Sequence, residues 1–187
     1  MAVATIDPAR TWAPVQDRLE GETDPVIRRN LELVIAHMRA EAVADIDGVV
    51  ATLSDRPRYR THGNEDRREM NPDSTAAVRA FYDLTIVQTG AHRLELAVDR
   101  VIADRSAVFT EGVMRIAYPG ATLRAMGIDV ADVDRFYLFE ARMGVVWPVD
   151  PDDGRLVGEE VYTVGDGFAG IAERPLEPTD VIESPAS

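Results

Sequence analysis

The chain has 187 residues, enough for one domain with a stable core, and its 45% apolar content belongs to a globular protein rather than a disordered one. Twenty basic against thirty-three acidic side chains leave a formal charge of −13, which argues against unspecific binding to nucleic acid or an anionic membrane. The absence of cysteine removes disulfides, thiolate chemistry and zinc sites built on Cys.

No basic start followed by an apolar stretch opens the chain, and no apolar run approaches the roughly 18–20 residues that span a bilayer. A cytoplasmic location with no membrane partner is therefore expected. Residues 1–23 carry Pro8 and Pro14 and read as an N-terminal arm. Asp24-Pro25 is an N-cap followed by proline at the first helical position, where its missing N–H costs nothing. Ile27, Leu31, Val34 and Met38 follow at helical spacing and predict an amphipathic helix over 25–43. Asp45 caps a shorter second helix that buries Ile46, Val49, Val50 and Leu53, and Pro57 ends it.

Pro57 to His62 reads as a short strand, followed by a charged loop from Gly63 to Pro72. Asp73 or Ser74 caps a third helix, with Val78, Phe81, Tyr82 and Thr85 on one face and Gly90 closing it. The period then changes to two. Leu94, Leu96 and Val98 alternate with Glu95, Ala97 and Asp99 in a half-buried strand. Asp104-Arg105-Ser106 turns the chain into a returning strand, Ala107 to Ala117. Tyr118-Pro119-Gly120 breaks that strand, and 121–133 is a helical or looped excursion. Arg135 to Trp147 is a long strand, Pro148 to Gly154 a turn, and Arg155 to Val164 the last strand. Residues 165–187 are polar, acidic and proline-containing, and are expected to form a flexible tail.

Helices first and strands second predict an α+β domain over 24–164: a cone-shaped, curved antiparallel sheet with three N-terminal helices packed on its concave side. Such a cone encloses a ligand cavity. Strand 135–147 leaves its orientation open. If Asp134 faces inward, so do Phe136, Leu138, Glu140 and Arg142; the other face, Tyr137 to Trp147, is the better apolar set. Either a bulge switches the faces or Asp134 points away.

Three stretches carry a family resemblance covering residues 25–164. Ala44-Asp45-Ile46-Asp47-Gly48-Val49-Val50-Ala51 and Ser74-Thr75-Ala76-Ala77-Val78-Arg79-Ala80-Phe81-Tyr82 are similar to the second and third helices of the nuclear transport factor two-like superfamily. Asp134-Arg135-Phe136 resembles the strand start that delivers an acid to the pocket in its ketosteroid-isomerase-like members, beside which stand the SnoaL-like enzymes. In ketosteroid isomerase an Asp base works with a Tyr and a protonated Asp as oxyanion hole. The resemblance places that acid at Asp134, the tyrosine at His37 and the base at Thr61, next to His62, so two of the three types have changed. It also implies a homodimer.

Three histidines suit acid–base work near neutrality. His62, at the end of the first strand, is the leading base or acid; His37 flanks the first helix's apolar stripe; His92 follows Gly90 and reads as surface. Asp134 and His37 are the candidates to polarise a carbonyl or hydroxyl. Tyr59, Thr61, Glu111, Tyr137, Trp147 and Tyr162 are substrate-binding candidates, with Tyr82 better explained as core and Glu160 a further strand-borne acid. No His-rich spacing, dinucleotide fingerprint or phosphate loop occurs, so neither a metal nor a cofactor is expected. Two functions follow: a cofactor-independent isomerase, dehydratase or cyclase moving protons on an apolar, oxygenated small molecule, or a non-catalytic binding or assembly protein using the same cone. An epoxide hydrolase ranks below both, Glu140-x-Arg142 being the nearest approach to the spacing it needs.

Overall fold

The computed structural model describes residues 5–182, and its first element is one that two prolines concealed. Ala9–Glu20 is a helix, α1, with Pro8 at its N-cap and Pro14 inside it. Thr11, Val15 and Leu19 recur every fourth residue, are buried, and pack the helix on α2 and on the first long strand. The expected arm is thus an integral part of the core for most of its length.

The next helices begin where their caps predict. Asp24 accepts the Val26 N–H at 2.9 Å and starts α2, Pro25–Ala42; Asp45 accepts that of Gly48 at 2.9 Å and starts α3, Ile46–Ala51. Strand β1 is only Arg60–Thr61. Ser74 caps α4, Thr75–Tyr82, which runs on through one π turn to Val87.

Strands β2 (Leu94–Ala103) and β3 (Ala107–Pro119) form the expected hairpin. Its turn is closed by Asp104, whose carboxylate accepts the N–H groups of Ser106 and Ala107 and the Ser106 hydroxyl. The register shifts between Val98 and Arg100, opposite Gly112, where any Cβ would collide with the Ala97 carbonyl. That bulge helps the sheet to bend. Helix α5, Gly120–Ala125, occupies the excursion before β4, Phe136–Pro148. The last strand of the domain, β5, is Glu160–Val164; residues 155–159 leave it to reach back, Arg155 donating to the carbonyls of Ala51 and Leu53.

The order is β1-β5-β4-β3-β2, antiparallel except for the β1–β5 pair, which is parallel. The sheet is curved and unclosed, and the helices cover its inner side: Val15, Leu31, Val34, Met38, Val49, Val78 and Tyr82 meet Leu94, Leu96, Val108, Val145 and Trp147 in one buried cluster. Pairing of β3 with β4 runs without interruption from Ala107–Pro148 to Pro119–Phe136, so no bulge switches the faces of β4. Tyr137, Phe139, Ala141, Val145 and Trp147 are the core face. Glu140 and Arg142 lie opposite, in a cross-strand ladder with Arg115, Glu111 and Asp99.

The tail expected to be flexible is packed as far as it is described. Pro175–Leu176 forms β6 on the start of β4, Ile171 and Leu176 are buried, and Phe168 meets Phe139 edge-on at 4.9 Å. Apolar residues spaced between prolines and acids gave no period to read. Val181 then bridges Ile6, tying the two ends of the described chain together. The remainder of that tail, 183–187, lies outside the described residues. Among the described residues no helix is long and apolar enough to cross a membrane.

Candidate active site

One group of polar side chains gathers inside the helix–sheet core, with His37, Thr52, Tyr59 and Tyr82 buried and Glu41 and Glu159 half-buried. α2 contributes His37 and, one turn later on the same side, Glu41; α3 contributes Thr52 at its C-cap; α4 contributes Tyr82 as its last residue. Tyr59 and Glu159 precede the two strands of the parallel pair, where Arg60 N–H donates to the Glu159 carbonyl. Gly158 allows this close approach. Its φ is +145°, and a Cβ there would strike the Arg58 carbonyl and the Tyr59 ring.

The hydrogen bonds of His37 can be followed atom by atom. The Thr52 hydroxyl donates to the Val49 carbonyl at 2.7 Å, so its lone pair accepts from His37 Nδ1–H, also at 2.7 Å. That leaves Nε2 facing the Tyr82 hydroxyl at 3.0 Å, Glu159 Oε1 at 3.2 Å and the Tyr59 hydroxyl at 3.5 Å. Tyr82 donates to Glu159 Oε1 at 2.8 Å, and the two phenol oxygens are 3.4 Å apart. His37 has no exposed surface, whereas 13% of the Glu159 side chain reaches solvent. Trp147 closes the other side of the imidazole edge-on at 5.3 Å, its indole N–H held by Thr110.

The protons of this cluster have two self-consistent arrangements. With a cationic imidazole, Nε2–H points at the Glu159 carboxylate and the Tyr82 oxygen. With a neutral one, a phenol hydrogen turns to Nε2. Neither requires a heavy atom to move.

Electrostatics acts on Glu41 and the two phenols. Burial, followed by repulsion from the Glu159 carboxylate, pushes Glu41 up to about 8, so it holds its proton at neutral pH. Burial and the same carboxylate push the Tyr59 and Tyr82 phenols well above their usual value, keeping both as neutral donors. Glu41, one turn along α2 from His37, is thus a carboxylic acid that can donate.

The residues singled out by sequence divide sharply. His37, Tyr59 and Trp147 come together here. His62 does not join them: it stacks on Tyr162 at 4.1 Å and lines a cleft of about 370 Å³ with Arg58, Tyr59 and Arg60, while its Nδ1 faces Glu65. Asp134 is exposed in the loop before β4, its N–H donating to the Asp132 carboxylate, and it approaches neither histidine. Thr61 is tied to the 64–71 loop, its hydroxyl donating to the Met70 carbonyl. Tyr137 exchanges hydrogen bonds with the Asp132 backbone, and Glu111 pairs with Arg100 and Arg142 on the outer face.

Sequence reasoning missed Glu41, Thr52 and Glu159, and set Tyr82 aside as core. The signal for Glu41 was its place four residues after His37 on the same flank of α2. Glu160 was considered in place of Glu159, and one residue along a strand reverses the face. Among the described residues no three His, Asp or Glu side chains are disposed to hold a metal ion.

No family model matches the sequence, and no curated protein matches it. Solved structures do match the fold. A putative SnoaL-like polyketide cyclase from Jannaschia sp. CCS1 superposes with a TM-score of 0.59 at 18% identity, covering 82% of this chain and 99% of its own. One from Shewanella denitrificans OS-217 gives 0.62 at 10% identity, over 77% and 96%. An LEH-like epoxide hydrolase from M. tuberculosis gives 0.57 at 21% identity, over 80% and 94%.

Proposed function

For a chain whose fold is that of the nuclear transport factor two-like superfamily in its SnoaL-like form, we propose cofactor-independent acid–base catalysis on an oxygenated small molecule, of the isomerase, dehydratase or cyclase kind. One observation carries this reading: Glu159 stands 3.2 Å from Nε2 of a fully buried His37 that two phenols can reach, with Glu41, whose carboxyl is pushed up to about 8, one turn along the same helix. Glu159, the member with a solvent-facing edge, takes a proton from the carbon or hydroxyl acid. Nε2 of His37, 3.2 Å away, shares the proton so taken, the ring being held in one tautomer by the Thr52–Val49 relay. Glu41 donates to the oxygen that becomes negative, and the neutral Tyr59 hydroxyl supplies a second donor. The solved cyclases and epoxide hydrolase that share the fold are consistent with this kind of chemistry.

Deuterium exchange tests the reading without knowledge of the natural substrate. A panel of cyclic ketones and β-hydroxyketones is incubated in D₂O with the protein, and loss of the α-proton signal is followed by NMR. Accelerated exchange that disappears in His37→Gln and Glu159→Gln supports catalysis. No acceleration across the panel favours a binding protein instead. One feature supports that second reading: Trp147, Tyr82 and Tyr59 fill the inner side of the sheet around His37, and the clefts of about 300 and 370 Å³ lie outside it, along residues 58–84.

A further inference from the structure

Arg56, Arg58, Arg60, Arg67 and Arg68 place a quarter of the chain's twenty basic residues within thirteen positions of a protein with net charge −13. Nearly every other arginine is engaged. Ten meet carboxylates, Arg29 an amide oxygen, Arg39 and Arg93 aromatic rings, and Arg155 and Arg174 backbone carbonyls. Arg67 pairs with Glu69. Among the described residues, the guanidinium groups of Arg56, Arg58, Arg60 and Arg68 meet none of these partners. With thirty-three acidic residues in the chain, free guanidinium groups are unexpected, and three of the four line clefts.

The two clefts share Asn71 and Asp73. One, of about 370 Å³, carries Arg58 and Arg60, two residues apart on an extended segment and so on one side of it. The other, of about 300 Å³, has Arg68 at its edge and an apolar wall of Pro72, Phe81 and Leu84. Leu84 is 44% exposed, a large apolar side chain left in water beside a cationic rim. Of the acids that line the clefts, Glu65 accepts from Gly63 and faces His62, and Glu69 is held by Arg67, leaving Asp73 uncommitted.

We propose that these joined clefts bind an amphiphilic oxyanion, with its carboxylate or phosphate head on Arg58 and Arg60 and its apolar body on Phe81 and Leu84. Guanidinium pairs fit such heads through two parallel hydrogen bonds. The combined space suits a body of about ten carbon atoms. The site goes beyond the acid–base reading and needs no turnover for its test.

Isothermal titration calorimetry at low ionic strength uses decanoate, decyl phosphate and decanol as probes. Both anions bind saturably at one per chain, the tighter of the two identifying the head group, and decanol binds at least about tenfold more weakly. Arg58→Ala combined with Arg60→Ala lowers the affinity for the anions by about tenfold or more, and Leu84→Ser weakens it as well. Arg56→Ala, which removes a charge outside the clefts, leaves it within about twofold, and Asp73→Asn tightens it. All five positions are exposed, and circular dichroism melting curves confirm that each variant folds. The proposal is overturned by the absence of saturable binding of either anion, or by affinity indifferent to the double substitution. Association with anionic phospholipid vesicles alone would overturn it in favour of a surface-docking role.

Discussion

Tyr82 donates its hydroxyl hydrogen to Glu159 Oε1 at 2.8 Å, joining the end of α4 to the start of β5 across 77 residues of sequence. The bond fixes the carboxylate beside His37 and leaves the Tyr82 oxygen as an acceptor toward the imidazole. Tyr59 stands at 3.4–3.5 Å from the same atoms, a longer and weaker approach.

That difference predicts unequal costs for removing the two hydroxyls. Tyr82→Phe strips the half-buried Glu159 carboxyl of its short donor and lowers unfolding free energy by about 1.5–3 kcal/mol. Tyr59→Phe costs less than about 1 kcal/mol by the same reasoning. Urea denaturation at pH 7 measures both; equal costs would contradict the assignment of Tyr82 as the donor.

Glu41 makes stability depend on pH with a definite sign. Its folded value, about 8, lies above the ordinary 4.5, so the folded protein binds one more proton than the unfolded chain between those limits. The favourable contribution is full below about pH 4.5 and is lost as pH rises through about 8. Glu41→Gln imitates the protonated acid and removes this loss. Because the side chain is only partly buried, the gain over the parent at pH 9 is discounted to about 2 kcal/mol, with little difference near pH 5. Denaturation midpoints at the two pH values check it.

The outer face of the sheet carries a separate electrostatic dependence. Glu95 is fully buried on β2, where it accepts the Asp7 N–H at 2.6 Å and pairs with Arg115 at 3.3 Å. Arg115→Met deprives a buried carboxylate of its main cation and lowers stability by about 3 kcal/mol, while Glu140→Gln, at the exposed end of the same ladder, costs less than about 1 kcal/mol. Thermal unfolding of the two variants separates these outcomes.

The segment after β5 is part of the core. Ile171 is buried against Tyr137, Phe139 and Leu123, and Ile171→Ala lowers stability by about 2–4 kcal/mol. A loss below about 0.5 kcal/mol would mean that residues 166–176 do not pack in solution; guanidinium denaturation gives the figure.

Much of the fold was legible because caps and periods are local signals. Asp24, Asp45 and Ser74 each start a helix through a bond to a backbone N–H within three residues, and the change of period at Leu94 marks the first long strand. Helix α1 was obscured by Pro8 and Pro14, although its stripe Thr11-Val15-Leu19 is helical. The site was less legible because its atoms come from five separate segments, and only a parallel pair of two-residue reach brings Tyr59 against Glu159. His37 was named on its position flanking an apolar stripe. Asp134 was named by motif, and motif gives no information about which way a strand-start acid faces when the opposite face of β4 holds the apolar set.

The direct measurement is a carboxyl-detected ¹³C NMR titration of glutamate-labelled protein between pH 3 and 10. One glutamate carboxyl titrates near pH 8, is missing in Glu41→Gln, and moves down toward the ordinary range in Glu159→Gln, where the repelling charge is gone. If every glutamate in the folded protein titrates near its ordinary 4.5, Glu41 is ionised at neutral pH and the paired acid and base around His37 do not exist.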